Sequence, residues 1–236
     1  MDAIYRRCDE AVGRVIERVD ETTLLIVLSD HGFNSFRRSF HTNTWLWQNG
    51  LLALKDGNSP SPEMKENFTA VDWSKTYAYA VGLGGIYLNM KGRERSGILE
   101  EGTEAERVRN AIASGMGGLV DKATSTPGIR SVSRREEIYS GAYVGESPDL
   151  LINFHPGFRV SWETAVGGFS HELFEDNTRR WSGDHIIDPE AVPGILFMNQ
   201  PAAHNHASIL DLAPTILRHL DVPPGEHMEG KSLLAA

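Results

Sequence analysis

The chain reads as an α/β protein on three observations: an amphipathic helical pattern near the start, an apolar run directly after it, and the same two features together near the end. Cys8, Ala11, Val12, Val15, Ile16 and Val19 recur at the spacing of one helical face, with Asp9, Glu10, Arg14, Glu17 and Arg18 on the other side. Residues 23–28 (Thr-Leu-Leu-Ile-Val-Leu) form a run of strand length without alternation, which predicts a strand buried on both faces. In sheets covered by helices, ligand chemistry sits outside the carboxyl ends of the strands. The residues that leave this strand are Ser29, Asp30, His31 and Gly32.

The remaining elements follow in order. Asn43 is placed to cap a short helix through Trp45, Leu46 and Trp47 that stops at Gly50. Residues 56–66 are polar, carry Pro60 and Pro62, and read as a loop. Residues 76–80 and 86–90 predict two strands of a hairpin around Gly82-Leu83-Gly84-Gly85. A helix is expected over 104–123, weakened by Gly115, Gly117 and Gly118. Strands are expected at 129–132 and 149–154, then a long irregular stretch over 155–182, a length that marks functional or mobile loops. Residues 192–198 form the second buried-strand candidate, preceded by Ser182-Gly183-Asp184-His185. Ile209, Leu212, Ala213, Ile216, Leu217 and Leu220 mark a last helical face, compatible with Pro214 only if that residue lies in the first turn.

Composition bounds the class. The 236 residues are 40 % apolar, enough to bury a core, which excludes a disordered chain and allows one or two domains. With 23 Lys+Arg against 32 Asp+Glu the net charge is −9, so nucleic acid or an anionic membrane would be repelled at long range. An anionic substrate would need positive charge supplied locally. Cys8 is the single cysteine, so an internal disulfide framework is excluded and a reducing compartment is permitted. No run reaches the ~18–20 apolar residues of a bilayer span, and the first residues do not form a signal peptide. A cytoplasmic location is compatible with this, and any targeting signal upstream would lie outside the chain. Internal repeats and low-complexity tracts are absent, and composition does not separate two domains.

Asp30 and His31 offer a carboxylate oxygen and an imidazole nitrogen at a strand end, where a turn can aim both at one divalent ion such as Zn²⁺. The dipeptide alone is equally compatible with a loop aspartate that caps the next element. His185, in Gly183-Asp184-His185 before the other strand, is a candidate third ligand; alone it reads as a surface-loop histidine. His204 and His206 flank Asn205 in what reads as an ordinary loop, and His41, His155, His171, His219 and His227 have no partner at a metal-ligand spacing. The glycine run at 82–85 lacks the Lys and following helix of a phosphate loop, and a Gly-x-Ser-x-Gly elbow is absent.

These residues resemble a known family. Residues 23–33, ending in Ser-Asp-His-Gly-Phe, resemble the strand and metal-binding motif of the alkaline phosphatase superfamily in its type I phosphodiesterase and nucleotide pyrophosphatase branch. Ser182-Gly183-Asp184-His185 resembles the later G-x-H element. Residues 210–217 (Leu-Asp-Leu-Ala-Pro-Thr-Ile-Leu) and the closing Gly230-Lys231-Ser232-Leu233 look like its C-terminal helix and end motif. Residues 71–78, 85–89 and 92–94 are similar to its predicted phosphohydrolase or phosphomutase subgroup. The resemblance implies a three-layer α/β sandwich with a mostly parallel sheet, here a single incomplete domain over 1–236 with an insert-like region at about 56–182. It also implies two divalent ions, Zn²⁺ or alternatively Mn²⁺, in the complete enzyme. Asp30 and His31 would bind the ion that activates a nucleophile, and His185 the ion that takes the other phosphate oxygens. Two ions about 4 Å apart clamp the entering and leaving oxygens of an in-line displacement and supply the missing positive charge.

The implied substrate is a small phosphate ester or a nucleotide-like molecule. Nothing before Ser29 resembles the family's nucleophile strand, its first aspartate or its D-x-x-x-H pair. The expectation is therefore a C-terminal fragment, with weak metal binding and negligible hydrolysis by itself. The alternatives are a sulfatase or phosphomutase of the same superfamily, or a non-catalytic α/β module that keeps relic metal ligands. Substrate identity and oligomeric state are not legible in the sequence.

Overall fold

A computed structural model describes residues 2–61, 63–64 and 68–234. In chain order the elements are α1 (Asp2–Ile16), β1 (Ile26–Leu28), β2 (Asn34–Phe40), α2 (Thr42–Gln48), β3 (Ala78–Val81), β4 (Gly85–Leu88), α3 (Thr103–Met116), β5 (Val120–Asp121), β6 (Thr126–Pro127), β7 (Ile129–Arg134), α4 (Arg135–Ile138), β8 (Leu150–Phe154), β9 (Gly157–Val160), α5 (Trp162–Ala165), β10 (Phe174–Asp176), β11 (Gly183–Asp184), β12 (Leu196–Met198) and α6 (Leu212–His219). They fall into two compact units, Met1–Gly32 with Pro193–Ala236, and Phe33–Val192.

The Phe33–Val192 unit carries the main core. One of its sheets has the order β3-β4-β8-β7 and is antiparallel throughout. The hairpin at its edge forms because Gly82 and Gly84 adopt positive φ (75° and 110°) in the turn, while Ala78, Ala80, Ile86 and Leu88 alternate inward. Helix α3 lays Ala105, Val108, Ile112 and Met116 into the core at helical spacing. It ends at Met116, short of the expected residue 123, because Gly117 and Gly118 break it and residues 120–121 enter a strand. Gly115 lies so close to α2 that a Cβ there would stand 2.8 Å from Trp45 Cζ2. Asp149 is a fully buried carboxylate, which is tolerable only because it is surrounded by donors. Arg93, Arg109 and Arg135 approach it at 2.6, 3.3 and 3.4 Å, and the Leu88 N–H donates to it at 2.8 Å.

In a second sheet β2 is central: it pairs antiparallel with β10 and β11 and parallel with β9, and β5 with β6 forms a separate two-stranded ribbon. Among the described residues β2–β9 is the only parallel pairing between named strands, so the mostly parallel sheet expected from the sequence is corrected. For β3–β4 the reason is the connection, since a parallel pair needs a crossover of a dozen residues or more and the glycine turn at 82–84 can only return the chain antiparallel. The irregular stretch expected at 155–182 is corrected too, since it contains β9, α5 and β10. Asn43 is not the cap of α2. His41 occupies that place, and the Asn43 amide instead clamps β3, its Nδ2 donating to Ala80 O and its Oδ1 accepting from Ala80 N, at 2.9 and 2.8 Å. The helix stops before Gly50 as expected, with Gly50 at φ 69°. Of the loop expected at 56–66, Pro62, Lys65 and Glu66 lie outside the described residues, and Lys55–Gly57 forms one 3₁₀ turn.

In the other unit β1 and β12 make a two-stranded antiparallel ribbon, Ile26 opposite Met198 and Leu28 opposite Leu196. The expectation of strands buried on both faces is not met: Leu28 is 43 % and Phe197 64 % exposed. Two strands alone have no further layer to cover both faces. Residues 23–25 fall short of strand geometry because Asn199 takes over the ladder with its side chain, Oδ1 accepting from Leu25 N and Nδ2 donating to Thr23 O, both at 2.9 Å. Pro214 sits in the first turn of α6, where its missing N–H costs no helical bond.

His41, almost fully buried, is held below the ordinary imidazole range by desolvation, against the opposing pull of Glu175 and Glu163. The unfolded chain therefore takes up the proton first as pH falls below about 6.5. Its contribution to stability is complete above that pH and is lost as pH falls towards the folded-state value. Urea midpoints measured from pH 7.5 to 5 should fall more steeply for the wild type than for His41→Gln; parallel curves would contradict the assignment.

Candidate functional site

The Asp30–His31 pair is built by the end of β1. Ser29 continues the ribbon, its N–H donating to Ile195 O and its Oγ accepting from Ile195 N, both at 3.0 Å. This approach requires Gly194, where a Cβ would stand 2.7 Å from Ser29 O. The chain then turns out of the ribbon. Asp30 Oδ1 accepts the His31 N–H at 3.1 Å, and its Oδ2 lies 3.4 Å from His31 Nε2. His31 Nδ1 lies 2.9 Å from the Gly32 carbonyl. In ligating histidines, a ring nitrogen that donates to a backbone carbonyl fixes the tautomer and the ring orientation. The Asp30 side chain is largely exposed and that of His31 about one third exposed, so ions in solution can reach both. Asp30 also borders a cleft of about 290 Å³ lined by Leu28, Gly194, Ile195, Ser208 and Leu212. Carboxylate and imidazole together fit a divalent ion of the zinc type. Among the described residues no group of three or more His, Cys, Asp and Glu side chains forms a complete ion site.

His185 belongs to the other unit and is placed by β11, which pairs with Asn34 and Ser35 of β2. The residue before it does most of the positioning. Asp184 Oδ1 accepts from the backbone N–H groups of His185 and Ile186 at 2.7 and 3.1 Å, while Oδ2 pairs with Arg159 Nη1. Arg159 is 1 % exposed and lies between two rings, 5.0 Å over Phe36 and 4.0 Å over Trp162. Burial lowers its pKa from the usual arginine value, and Asp184 works against that shift. The His185 ring packs 5.6 Å from the Phe33 ring, and its Nδ1 is 3.8 Å from Asp184 Oδ1. Sequence reasoning named His185 and missed Arg159, which lies in the stretch taken for a loop. The available signal was an arginine within Gly-Phe-Arg-Val, a short run of strand composition.

The two C-terminal motifs are fastened to each other. Asp211 Oδ2 accepts from Ser208 N and Oδ1 from Lys231 N, at 2.8 and 2.7 Å, and these donors hold the carboxyl below the usual aspartate range. The Thr215 hydroxyl donates to Asp211 O at 2.6 Å and accepts from Leu233 N at 2.8 Å. Gly230 is required because a Cβ there would stand 2.0 Å from Leu210 O. Asp211, Thr215, Gly230 and Leu233 thus act as a clip that closes the end of the chain.

Two stability changes follow. Arg159→Met strands the buried Asp184 carboxylate and should cost about 3–5 kcal/mol in urea unfolding. Thr215→Val leaves the Leu233 N–H without an acceptor and should cost about 1–3 kcal/mol. Midpoints equal to wild type in either variant would contradict these assignments.

A search of curated proteins finds no match to the chain. The model of the family described as type I phosphodiesterase / nucleotide pyrophosphatase matches residues 1–185, a span that contains Asp30, His31 and His185. That span is well over half of the 236 residues, and the chain belongs to the type I phosphodiesterase / nucleotide pyrophosphatase family.

Proposed function

We propose that the chain carries part of the centre of a metal-dependent phosphoester hydrolase acting on a small phosphate ester or nucleotide-like substrate. The observation that carries the reading is the tie from His31 Nδ1 to Gly32 O, with Nε2 beside Asp30 Oδ2 at 3.4 Å. A structural cap would need only the Asp30 oxygen that accepts the His31 N–H. A carboxylate oxygen and an imidazole nitrogen this close together are the donor types a divalent ion takes.

Asp30 and His31 would hold one ion and His185 would contribute to a second, with Zn²⁺ or Mn²⁺ suited to this donor set. Bound there, such ions supply Lewis-acid polarisation of a phosphoryl oxygen and a nucleophile at neutral pH. The protein's own part is orientation. Asp30 and Gly32 fix the His31 ring, and Arg159, through Asp184, fixes the backbone that bears His185. In a chain of net charge −9, ions held at these residues provide the attraction an anionic ester requires. We assign no nucleophile among the residues of this chain.

Calorimetric titration of the whole chain with Zn²⁺ and Mn²⁺ tests the reading. Binding should be weak, and Asp30→Asn and His31→Ala should each lower the affinity at least about tenfold, the size expected for loss of one ligand or its support. Equal affinity in wild type and in the Asp30→Asn, His31→Ala double variant would overturn the assignment.

A further inference from the structure

A cavity of about 940 Å³ in the Phe33–Val192 unit has none of the candidate metal ligands in its lining. It lies on the face of the β3–β4 hairpin opposite to the core. On that face Tyr79 and Tyr87 are directly cross-strand, with rings stacked at 5.5 Å and 16°. Phe68 and Trp73 extend the aromatic surface, each meeting Tyr79 edge to face at 5.5 and 5.2 Å. All four rings stay only partly buried. Ala78, Ala80, Ile86 and Leu88 fill the inner face, and Phe68, Trp73 and Tyr79 pack against that core while remaining partly open on the cavity side.

The polar groups around the cavity are largely fixed. Glu94 accepts from Tyr79 Oη, Arg93 Nε and Met90 N at 3.2, 2.8 and 2.8 Å, and Arg93 also pairs with buried Asp149 while lying 5.8 Å over Tyr87. Arg95 and Glu146, also in the wall, make no ion pair among the described residues, and their charges are opposite. An arginine in the wall disfavours a cation such as a quaternary ammonium, and Glu146 disfavours an anion. Fully buried Asn89 in the wall spends its Nδ2 on the carbonyls of Trp73, Thr76 and Ser96, and its Oδ1 is closed off from solvent, so this amide holds the wall in place. A volume of this size that combines an aromatic wall with fixed polar and charged groups suits a small molecule.

We propose that this cavity binds an uncharged planar aromatic ring, stacked against Tyr79, Tyr87 and Trp73. Nucleobases and indole-type rings share that chemistry. The inference is independent of the hydrolase reading, because it uses no metal and no reaction.

Calorimetry on the whole chain with adenosine, uridine, indole, choline and benzoate tests it. At least one uncharged ring should bind with a Kd of about 1 mM or tighter, and choline and benzoate at least tenfold more weakly. Binding by nucleosides alone would assign the site to a nucleobase, and binding by indole as well to aromatic rings in general. Tyr87→Leu, which keeps bulk and removes the ring, should weaken binding at least fivefold. Should that variant misfold, NMR shifts of the Tyr79, Tyr87 and Trp73 ring protons in the wild type on titration serve instead. Failure of all three uncharged rings to bind, choline or benzoate binding as tightly, unchanged affinity in folded Tyr87→Leu, or binding that leaves those ring protons unshifted would overturn the proposal.

Discussion

The buried Arg159–Asp184 pair is the interaction on which the sheet around β2 turns. Arg159 comes from β9, Asp184 from β11, and the Phe36 ring under the guanidinium from β2 itself. An ion pair this deeply buried is costly unless every donor and acceptor is occupied, so its geometry admits few alternatives. Arg159 Nε is spent on Val160 O at 2.9 Å and both Asp184 oxygens are engaged, while Arg159 Nη1 meets Asp184 Oδ2 as an ion pair without making a hydrogen bond among the described residues. The consequence reaches the candidate site directly. The carboxylate that neutralises Arg159 also receives the N–H groups of His185 and Ile186, so the charge that stabilises the sheet determines where the candidate ligand's backbone stands.

Asp30 and His31 depend on a different constraint, close approach of backbone. Gly194 lets β12 lie against Ser29, and Gly230 lets the closing segment lie against Leu210, both at distances a Cβ would forbid. These two glycines are steric requirements of the strand end and of the clip. Asp211 and Thr215 likewise serve structure: their side-chain oxygens accept the backbone N–H groups of Ser208 at a helix start, of Lys231 and of Leu233.

The hairpin at 78–88, the helix stop at Gly50 and strands β7 and β8 were legible because local chemistry decides them: glycine turns, alternation and breakers. The burial of β1 and β12 was not, because a continuous apolar run records that a strand is apolar and not how many layers cover it. The direction of pairing was misread for a related reason. Only connections fix it, and residues 155–182 hide two short strands and a helical turn within what reads as loop. For the site, Asp30, His31 and His185 stood out by residue type. Arg159 did not, because its meaning lies in a contact with Asp184 that no spacing pattern encodes.

Amide hydrogen exchange at His185 and Ile186 tests the central claim most directly. With Arg159 replaced by Lys, a point charge that cannot lie flat between Phe36 and Trp162 as the guanidinium does, Asp184 should loosen. Both amides should then lose protection selectively, while those of β8 keep theirs. Unchanged protection at His185 and Ile186 in folded Arg159→Lys would contradict the account.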